Sequence, residues 1–123
     1  MKRTKYKVAP PEERRYLGRT FGSKAEREYC EHLELEVHMG EIHAYICQPR
    51  VWLGVPENVY IPDFLVIPRE MGERPYFIDV KGMETSKFRR DKKLWKQYSF
   101  LALHIVKKKG SRFVTSEVID AAI

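Results

Sequence analysis

Ile61-Pro62-Asp63-Phe64-Leu65-Val66 is the first of two short apolar segments that decide the fold, and Phe77-Ile78-Asp79-Val80-Lys81 is the second. Both segments are rich in β-branched and aromatic residues, and the turn-forming residues Pro68, Gly72 and Pro75 lie between them. Apolar runs of this length, separated by turn residues, are typical of two strands joined as a hairpin.

Charged residues interrupt these strands, and the alternation of side chains along a strand predicts which face each of them occupies. Asp79 and Lys81 are expected on one face, while Ile78 and Val80 point to the other face, where a core can take them. Pairing with the first strand brings Asp63 to the ionic face. Buried charges are costly unless they pair or hold a metal, and two carboxylates beside one ammonium form a net negative cluster. Such a cluster suits Mg²⁺, which takes oxygen ligands.

The length and charge of the chain predict one basic domain. The 123 residues are 43% hydrophobic and carry a formal net charge of +6. A basic domain favours a polyanionic partner, most often nucleic acid, although some basic proteins are merely soluble. No run approaches the roughly 18 apolar residues of a membrane span, and no apolar signal region follows the lysine-rich N-terminus. We therefore expect a cytoplasmic or nuclear protein without a membrane partner.

Metal sites built from cysteine or histidine are not expected. Cys30 and Cys47 stand outside any Cys-x-x-Cys pattern, and the four histidines lack a spacing typical of metal ligands. Neither zinc nor a disulfide framework is therefore predicted.

The first 20 residues are predicted to form a basic arm before a single domain at residues 21–123. Pro10-Pro11 breaks any helix there. The arm is expected either to lie along a phosphate backbone or to serve as a disordered tail that aids solubility. Its second half should pack on the domain through Tyr16, Leu17 and Phe21. Its predicted nucleic-acid contacts are Lys2, Arg3, Lys5 and Lys7.

A helix is predicted to begin after Ser23 and to run to about His38. Glu26 has two interpretations. In a capping box Ser23 is the N-cap, and Glu26 returns a hydrogen bond to the backbone of Ser23. Alternatively Glu26 is a catalytic carboxylate, because it shares the core-facing side of the helix with apolar residues. These residues are Cys30, Leu33 and Val37.

The other elements complete an α/β pattern, a mixed sheet flanked by helices. In chain order we predict two short strands between Glu41 and Val55 broken at Gln48-Pro49, strands at Val59–Ile67 and Tyr76–Lys81, a helix at Ser86–Phe100, a strand at Ala102–Val106, a basic turn at Lys107–Gly110 and a final strand or short helix at Phe113–Ile119.

The helix at Ser86–Phe100 is predicted to place Phe88, Trp95 and Tyr98 on one side. It carries six cations and a single Asp91, and like charges at three- and four-residue spacing repel one another. The helix is therefore either a solvated surface or, as we favour, one that follows DNA phosphates. Together with Arg27 on the first helix, its predicted nucleic-acid contacts are Lys87, Arg89, Arg90, Lys93 and Gln97.

One family resemblance rests on the two strands quoted first. Pro62-Asp63, followed after fifteen residues by Asp79-Val80-Lys81, resembles the Pro-Asp…(Asp/Glu)-x-Lys signature of the PD-(D/E)xK nucleases. A second Asp-x-Lys copy, Asp91-Lys92-Lys93, falls on a predicted helix, so only the first copy has the strand context. The resemblance implies a restriction-endonuclease-like core, in which a mixed central β-sheet is flanked by helices.

The resemblance also implies a role for each signature residue. Asp63 and Asp79 would bind Mg²⁺, with Mn²⁺ as a substitute, and the backbone carbonyl of Val80 would add a ligand. Glu26 would coordinate the metal directly or through water. Lys81 would orient the attacking water, and hydrolysis would leave 5′-phosphate and 3′-hydroxyl ends.

Two narrower resemblances concern the substrate. Gly22–Glu28 resembles the start of the first helix in archaeal-type Holliday junction resolvases. The chain departs from them at Asp79, where glutamate is more frequent, and in a longer Gln48–Asn58 insertion that replaces a Ser-Gly-rich loop. Small phage PD-(D/E)xK proteins are similar at four places: Phe21–Glu26, Gln48-Pro49, Asp63-Phe64 and Asp79–Gly82.

Together these resemblances imply a phage Holliday junction resolvase. It would act as a homodimer on branched or duplex DNA in the host cytoplasm. Two alternatives stay open: a less selective endo- or exonuclease of the same superfamily, and a non-catalytic nucleic-acid-binding module.

Overall fold

The structure is a computed structural model that describes residues 8–123. Its elements, in chain order, are a short 3₁₀ helix (Pro11–Arg14), β1 (Arg15–Tyr16), β2 (Arg19–Thr20), α1 (Lys24–His38), β3 (Ile42–Cys47), β4 (Val51–Trp52), β5 (Val59–Tyr60), β6 (Phe64–Pro68), β7 (Tyr76–Val80), α2 (Ser86–Tyr98), β8 (Leu103–Lys109) and β9 (Arg112–Ile119).

A five-stranded sheet in the order β3-β6-β7-β8-β9 forms the centre of the fold. β7 and β8 are parallel and are joined through α2, as a parallel pair requires a crossover connection. The other neighbours are antiparallel, so the sheet is mixed. The predicted fold class is confirmed: an α/β protein with a mixed central sheet and two helices, compatible with a restriction-endonuclease-like core.

Each face of the sheet carries its own core. The core on the α1 side contains Phe21, Tyr29, Cys30, Leu33, Ile42, Phe64, Val66, Ile78 and Val106. The core on the α2 side contains Val51, Leu53, Tyr60, Phe77, Phe88, Trp95, Leu101, Leu103, Ile105 and Ile119. β7 is central and buried on both faces, so the expectation of one purely ionic face was wrong. Phe77 shares the face of Asp79 and packs in a core there.

Local signals fix both ends of α1 where they were predicted. Ser23 is the N-cap, and its Oγ accepts a hydrogen bond from Glu26 N at 3.1 Å. After the last turn Gly40 has φ +74°, and its N–H donates to Val37 O at 3.0 Å. Glu41 N donates to Glu36 O at 2.8 Å, which completes a Schellman motif that favours glycine at this position.

The predicted hairpin forms between β6 and β7, but the strand before it is divided. Val59–Ile67 was predicted as one strand, whereas β5 ends at Tyr60 and β6 begins at Phe64. Pro62 lies in the break, where it has no N–H for a strand ladder. β5 pairs with β4 outside the main sheet.

The last third of the chain corrects two predictions. Lys107–Lys109 are the end of β8, not a turn, because they pair with residues 112–114 of β9. The turn lies at Gly110, which has φ +64°. α2 ends at Tyr98, which is half-exposed and does not join Phe88 and Trp95 in the core.

Part of the predicted arm has regular structure. β1 and β2 pair around Leu17 and Gly18, and Tyr16 packs on the α1-side core. Phe21 is buried as expected, but Leu17 is exposed. Lys2, Arg3, Lys5 and Lys7 lie outside the described residues. In the part of the chain that the structure describes, no helix has the length and apolar character needed to cross a membrane.

Candidate active site

The pairing of β6 with β7 brings the signature residues to one edge of the sheet. Asp63 immediately precedes β6, Val80 ends β7, and Lys81 follows it. β6 and β7 are antiparallel with Phe64 opposite Ile78, so the start of one strand lies beside the end of the other. Asp63 and Asp79 therefore meet at this edge, as the hairpin predicted.

Reciprocal hydrogen bonds hold the two aspartates. Val80 N donates to Asp63 Oδ2 at 2.7 Å, and Asp63 N donates to Asp79 Oδ1 at 3.0 Å. Each carboxylate is thus held by a backbone amide of the other segment. The positions of both side chains are fixed by the pairing of the strands, since shifting either carboxylate breaks a hydrogen bond in a largely buried place.

Tyr60 is a site residue that the sequence analysis missed. Its hydroxyl donates to Asp79 Oδ2 in the buried interior. The pairing of β4 with β5 positions it, with Tyr60 opposite Val51. A buried tyrosine usually has a hydrogen-bond partner for its hydroxyl. The sequence signal that could have indicated Tyr60 as a site residue is its position three residues before Asp63.

Lys81 brings the positive charge of the site. Its Nζ lies 3.7 Å from Asp79 Oδ2, and 4.6 Å from the centroid of the Phe88 ring. The ring face attracts an ammonium group and so helps to hold Lys81 beside the carboxylates. The predicted grouping of Asp63, Asp79 and Lys81 is therefore present.

The carboxylates of the site outnumber the cation. Burial, followed by the charges of Asp79 and Glu26, raises the pKa of Asp63 to about 8. Burial also raises the pKa of Asp79, although Lys81 and the Tyr60 hydroxyl oppose the shift. Burial and mutual repulsion thus favour protonated carboxyl groups in this site, and a bound cation would favour their ionised forms.

Glu26 satisfies features of both interpretations. Its Oε2 accepts a hydrogen bond from Gly22 N at 3.3 Å, so the returning bond of the capping box goes to Gly22 and not to Ser23 as predicted. Glu26 also lines a cleft of about 740 Å³ together with Val80 and Gly82. Burial raises the pKa of Glu26, and the charge of Asp79 acts in the same direction.

The donor chemistry of the site fits a hard cation held by two side chains. Within residues 8–123 no three His, Cys, Asp or Glu side chains form a group that could hold a metal ion. Asp63 and Asp79 nevertheless offer only oxygen donors. Mg²⁺ commonly binds one or two carboxylates and completes its shell with water and substrate phosphate. The pair fits that mode without requiring Glu26.

Intramolecular carboxylates compensate part of the charge on α2. Lys87 Nζ lies 3.3 Å from Asp91 Oδ2. Lys92 Nζ lies 2.6 Å from Glu84 Oε1 and 3.2 Å from Glu117 Oε1. Three predicted DNA contacts of α2 stay exposed: Arg89, Arg90 and Lys93. None of them has a carboxylate within 4.0 Å among the described residues.

Two further predicted DNA contacts have partners within the chain. Arg27 pairs with Glu31 one turn along α1, and lies 4.0 Å from Glu28. Gln97 Nε2 donates to Tyr98 Oη at 3.1 Å. Both remain predictions as DNA contacts.

Fold and site together define an α/β protein with paired aspartates and a lysine at one edge of a mixed sheet. A family model described as "Protein of unknown function (DUF1064)" matches residues 3–112, and the chain belongs to this family. No curated protein and no solved structure matches the chain.

Proposed function

We propose that the protein is a metal-dependent endodeoxyribonuclease of the PD-(D/E)xK type. The observation that carries this proposal is the mutual backbone-to-carboxylate bonding of Asp63 and Asp79, with Lys81 at the same sheet edge. A purely structural ion pair would balance its charges, whereas this site holds more carboxyl groups than cations and raises the pKa of Asp63 to about 8, as is typical of functional sites. Nucleases need such a site to bind a cation beside a phosphate.

Each residue has a role in this chemistry. Asp63 and Asp79 would hold Mg²⁺ or Mn²⁺, with the Val80 carbonyl as a further ligand. The metal would lower the pKa of bound water and polarise the phosphodiester. Lys81 would orient the attacking water and stabilise negative charge that develops on the phosphate. Tyr60 would keep Asp79 in its orientation. The products would carry 5′-phosphate and 3′-hydroxyl ends.

Branched DNA is the proposed substrate, in particular the Holliday junction of DNA recombination. The net charge of +6 supports a nucleic-acid partner. A homodimer with two-fold symmetry would match the symmetry of a four-way junction and place one site on each of two strands. The resemblance of Gly22–Glu28 to junction resolvases supports the same choice.

A comparison of four DNAs tests this substrate. Cleavage rates with Mg²⁺ are measured on a mobile four-way junction, a linear duplex, a flap and a single strand. The proposal predicts that the junction is cut fastest and at symmetric positions. Equal rates on the duplex would indicate a less selective nuclease, and binding without cleavage of any DNA would indicate a non-catalytic module.

Glu26→Gln separates the two interpretations of Glu26. Glutamine retains an acceptor for Gly22 N–H, so a capping residue, whose loss costs about 0.5–2 kcal/mol, would be largely replaced. If Glu26 belongs to the nuclease site, Glu26→Gln should keep its melting temperature and lose more than roughly tenfold in turnover. Tenfold is the lower limit of the loss seen when an outer-shell partner of a metal is replaced. Thermal melting and cleavage rates measure the two effects.

Glu31→Gln is the matched control, since Glu31 lies on the same helix and pairs with Arg27. It should cut DNA at the wild-type rate. Wild-type turnover of Glu26→Gln would leave Glu26 with a capping role only.

DNA binding by α2 is expected to depend on charge and not on base sequence. Changing Arg89, Arg90 and Lys93 to alanine should reduce the slope of log affinity against log salt by up to about 0.9 for each phosphate that these side chains neutralise. Junctions of unrelated sequence should lose affinity equally, because phosphate contacts carry no sequence information. Fluorescence anisotropy across a salt series measures this. An unchanged slope would exclude α2 from the interface, and a loss for only one sequence would mean that α2 reads bases.

A further inference from the structure

The end of β8 carries cations that reach past the candidate site. β8 runs parallel to β7 with Val106 opposite Val80, and Lys81 N donates to Val106 O at 2.9 Å. Lys107 therefore lies beside Lys81, and Lys109 extends further from the same sheet edge. The local charge of this segment had predicted a turn, whereas pairing with β9 fixes these lysines on a strand.

Alternation along β8 sorts the lysines by face. Ile105 packs in the α2-side core and Val106 in the α1-side core, so Lys107 and Lys109 continue the face of Ile105. Lys108 continues the other face, where its ammonium pairs with Glu28 on α1. Lys107 and Lys109 are about 6.7 Å apart along the strand, since each residue rises about 3.3–3.4 Å.

These two lysines border a basic cleft that joins the candidate site. The cleft has a volume of about 290 Å³, and no acidic residue lines it. Its lining residues are Ser23, Ala25, Val80, Lys81, Gly82, Lys107, Lys108 and Lys109. The cleft therefore begins next to the carbonyl end of β7 and continues past three lysines of β8.

Neither Lys107 nor Lys109 has an ion-pair partner among residues 8–123. Two carboxylates line the neighbouring cleft that Lys107 shares, but Glu84 and Glu117 both bind Lys92. The charge of Lys107 also acts on Glu84, whose pKa is lowered mainly by Lys92, so Lys107 is compensated only in part. Two like charges on one face of a strand, compensated only in part, favour an external anion. Lys107 and Lys109 are about 6.7 Å apart along the strand, so a polyanion with regularly spaced charges can contact both, whereas a single small ion cannot.

We propose that the phosphate backbone of the bound DNA runs from Lys81 along this cleft to Lys107 and Lys109. The path rests on the proposed function, because it takes the nuclease site as one end of the contact. It adds a DNA-binding surface formed by β8 to the one expected on α2. The contact is with phosphates and so carries no sequence preference.

The test compares two double variants of the full chain, each of which lacks two positive charges. Lys107→Gln/Lys109→Gln alters the cleft. Arg69→Gln/Arg74→Gln is the control, because both exposed arginines lie in the connection between β6 and β7, at the other end of the hairpin from Asp63 and Val80. Affinity for a labelled four-way junction and a labelled duplex is measured in EDTA between about 50 and 200 mM NaCl.

The cleft variant should reduce the salt slope by about 1.8 and weaken binding by roughly 10- to 100-fold, as expected for two phosphate contacts. The control should keep the wild-type slope within about 0.5. Equal effects of both variants, or a wild-type slope in the cleft variant, would overturn the proposed path. Because binding is measured in EDTA, the result does not depend on catalysis. Wild-type cleavage with Mg²⁺ together with an unaffected slope would leave the proposed function standing and remove only the path.

Discussion

Asp63→Asn is expected to lower DNA cleavage by more than about 100-fold, since loss of even an outer-shell partner of a metal typically costs 10- to 100-fold. Asparagine keeps an oxygen that can accept the hydrogen bond of Val80 N–H, so the substitution removes the ionisable carboxyl group with little change of shape. It also removes a carboxyl group whose ionisation is opposed by burial and by the neighbouring carboxylates. We therefore expect the melting temperature to stay unchanged or to rise, and DNA binding to stay unchanged or to tighten.

The chain provides its own control for this substitution. Asp91 is also buried, also starts an Asp-x-Lys triplet, and lies on α2 beside Lys87. Asp91→Asn should cut DNA at close to the wild-type rate. Cleavage time courses on one substrate, with melting curves for all proteins, measure the difference. Normal cleavage by Asp63→Asn, or an equal loss in Asp91→Asn, would show that the site is elsewhere.

Replacing Mg²⁺ by Ca²⁺ should stop cleavage, and Mn²⁺ should support it. Ca²⁺ takes oxygen ligands at about 2.3–2.6 Å in flexible geometry, whereas Mg²⁺ requires near-octahedral geometry at about 2.0–2.1 Å. Two aspartates held by strand backbone cannot adapt freely to the longer ligand distances. Cleavage is followed at constant ionic strength with each cation and with EDTA.

DNA affinity in Ca²⁺ serves as the control for this exchange. It should equal or exceed the affinity in EDTA, because a cation at the aspartates reduces their repulsion of phosphate. The loss would then lie in turnover and not in binding. Full cleavage in EDTA would contradict a metal-dependent site.

The parts of the site that could be predicted from sequence are those set by local patterns. Alternation and turn residues were sufficient for the β6–β7 hairpin, and hence for the meeting of Asp63 and Asp79. The N-cap at Ser23 and the glycine at position 40 were sufficient for α1. These signals act within a few residues, so one sequence shows them directly.

The parts that were missed depend on contacts between distant segments. Tyr60 reaches Asp79 because β4 pairs with β5. Lys107–Lys109 were expected in a turn because a run of three lysines before a glycine is not typical of a strand. Their place in β8 depends on pairing with β9, which the local sequence does not show. Lys92 is one of the six cations of α2, and its pairing with Glu117 of β9 is set by the fold. Such non-local contacts override intrinsic preference and are not visible in a window of sequence.

Cleavage of a mobile four-way junction by the purified wild-type protein with Mg²⁺ tests the central claim most directly. The junction is labelled on each strand in turn, and the products are treated with DNA ligase. We predict symmetric nicks that the ligase reseals, because the ends carry 5′-phosphate and 3′-hydroxyl groups. A folded protein that leaves every strand intact, or that yields ends the ligase cannot join, would contradict the account.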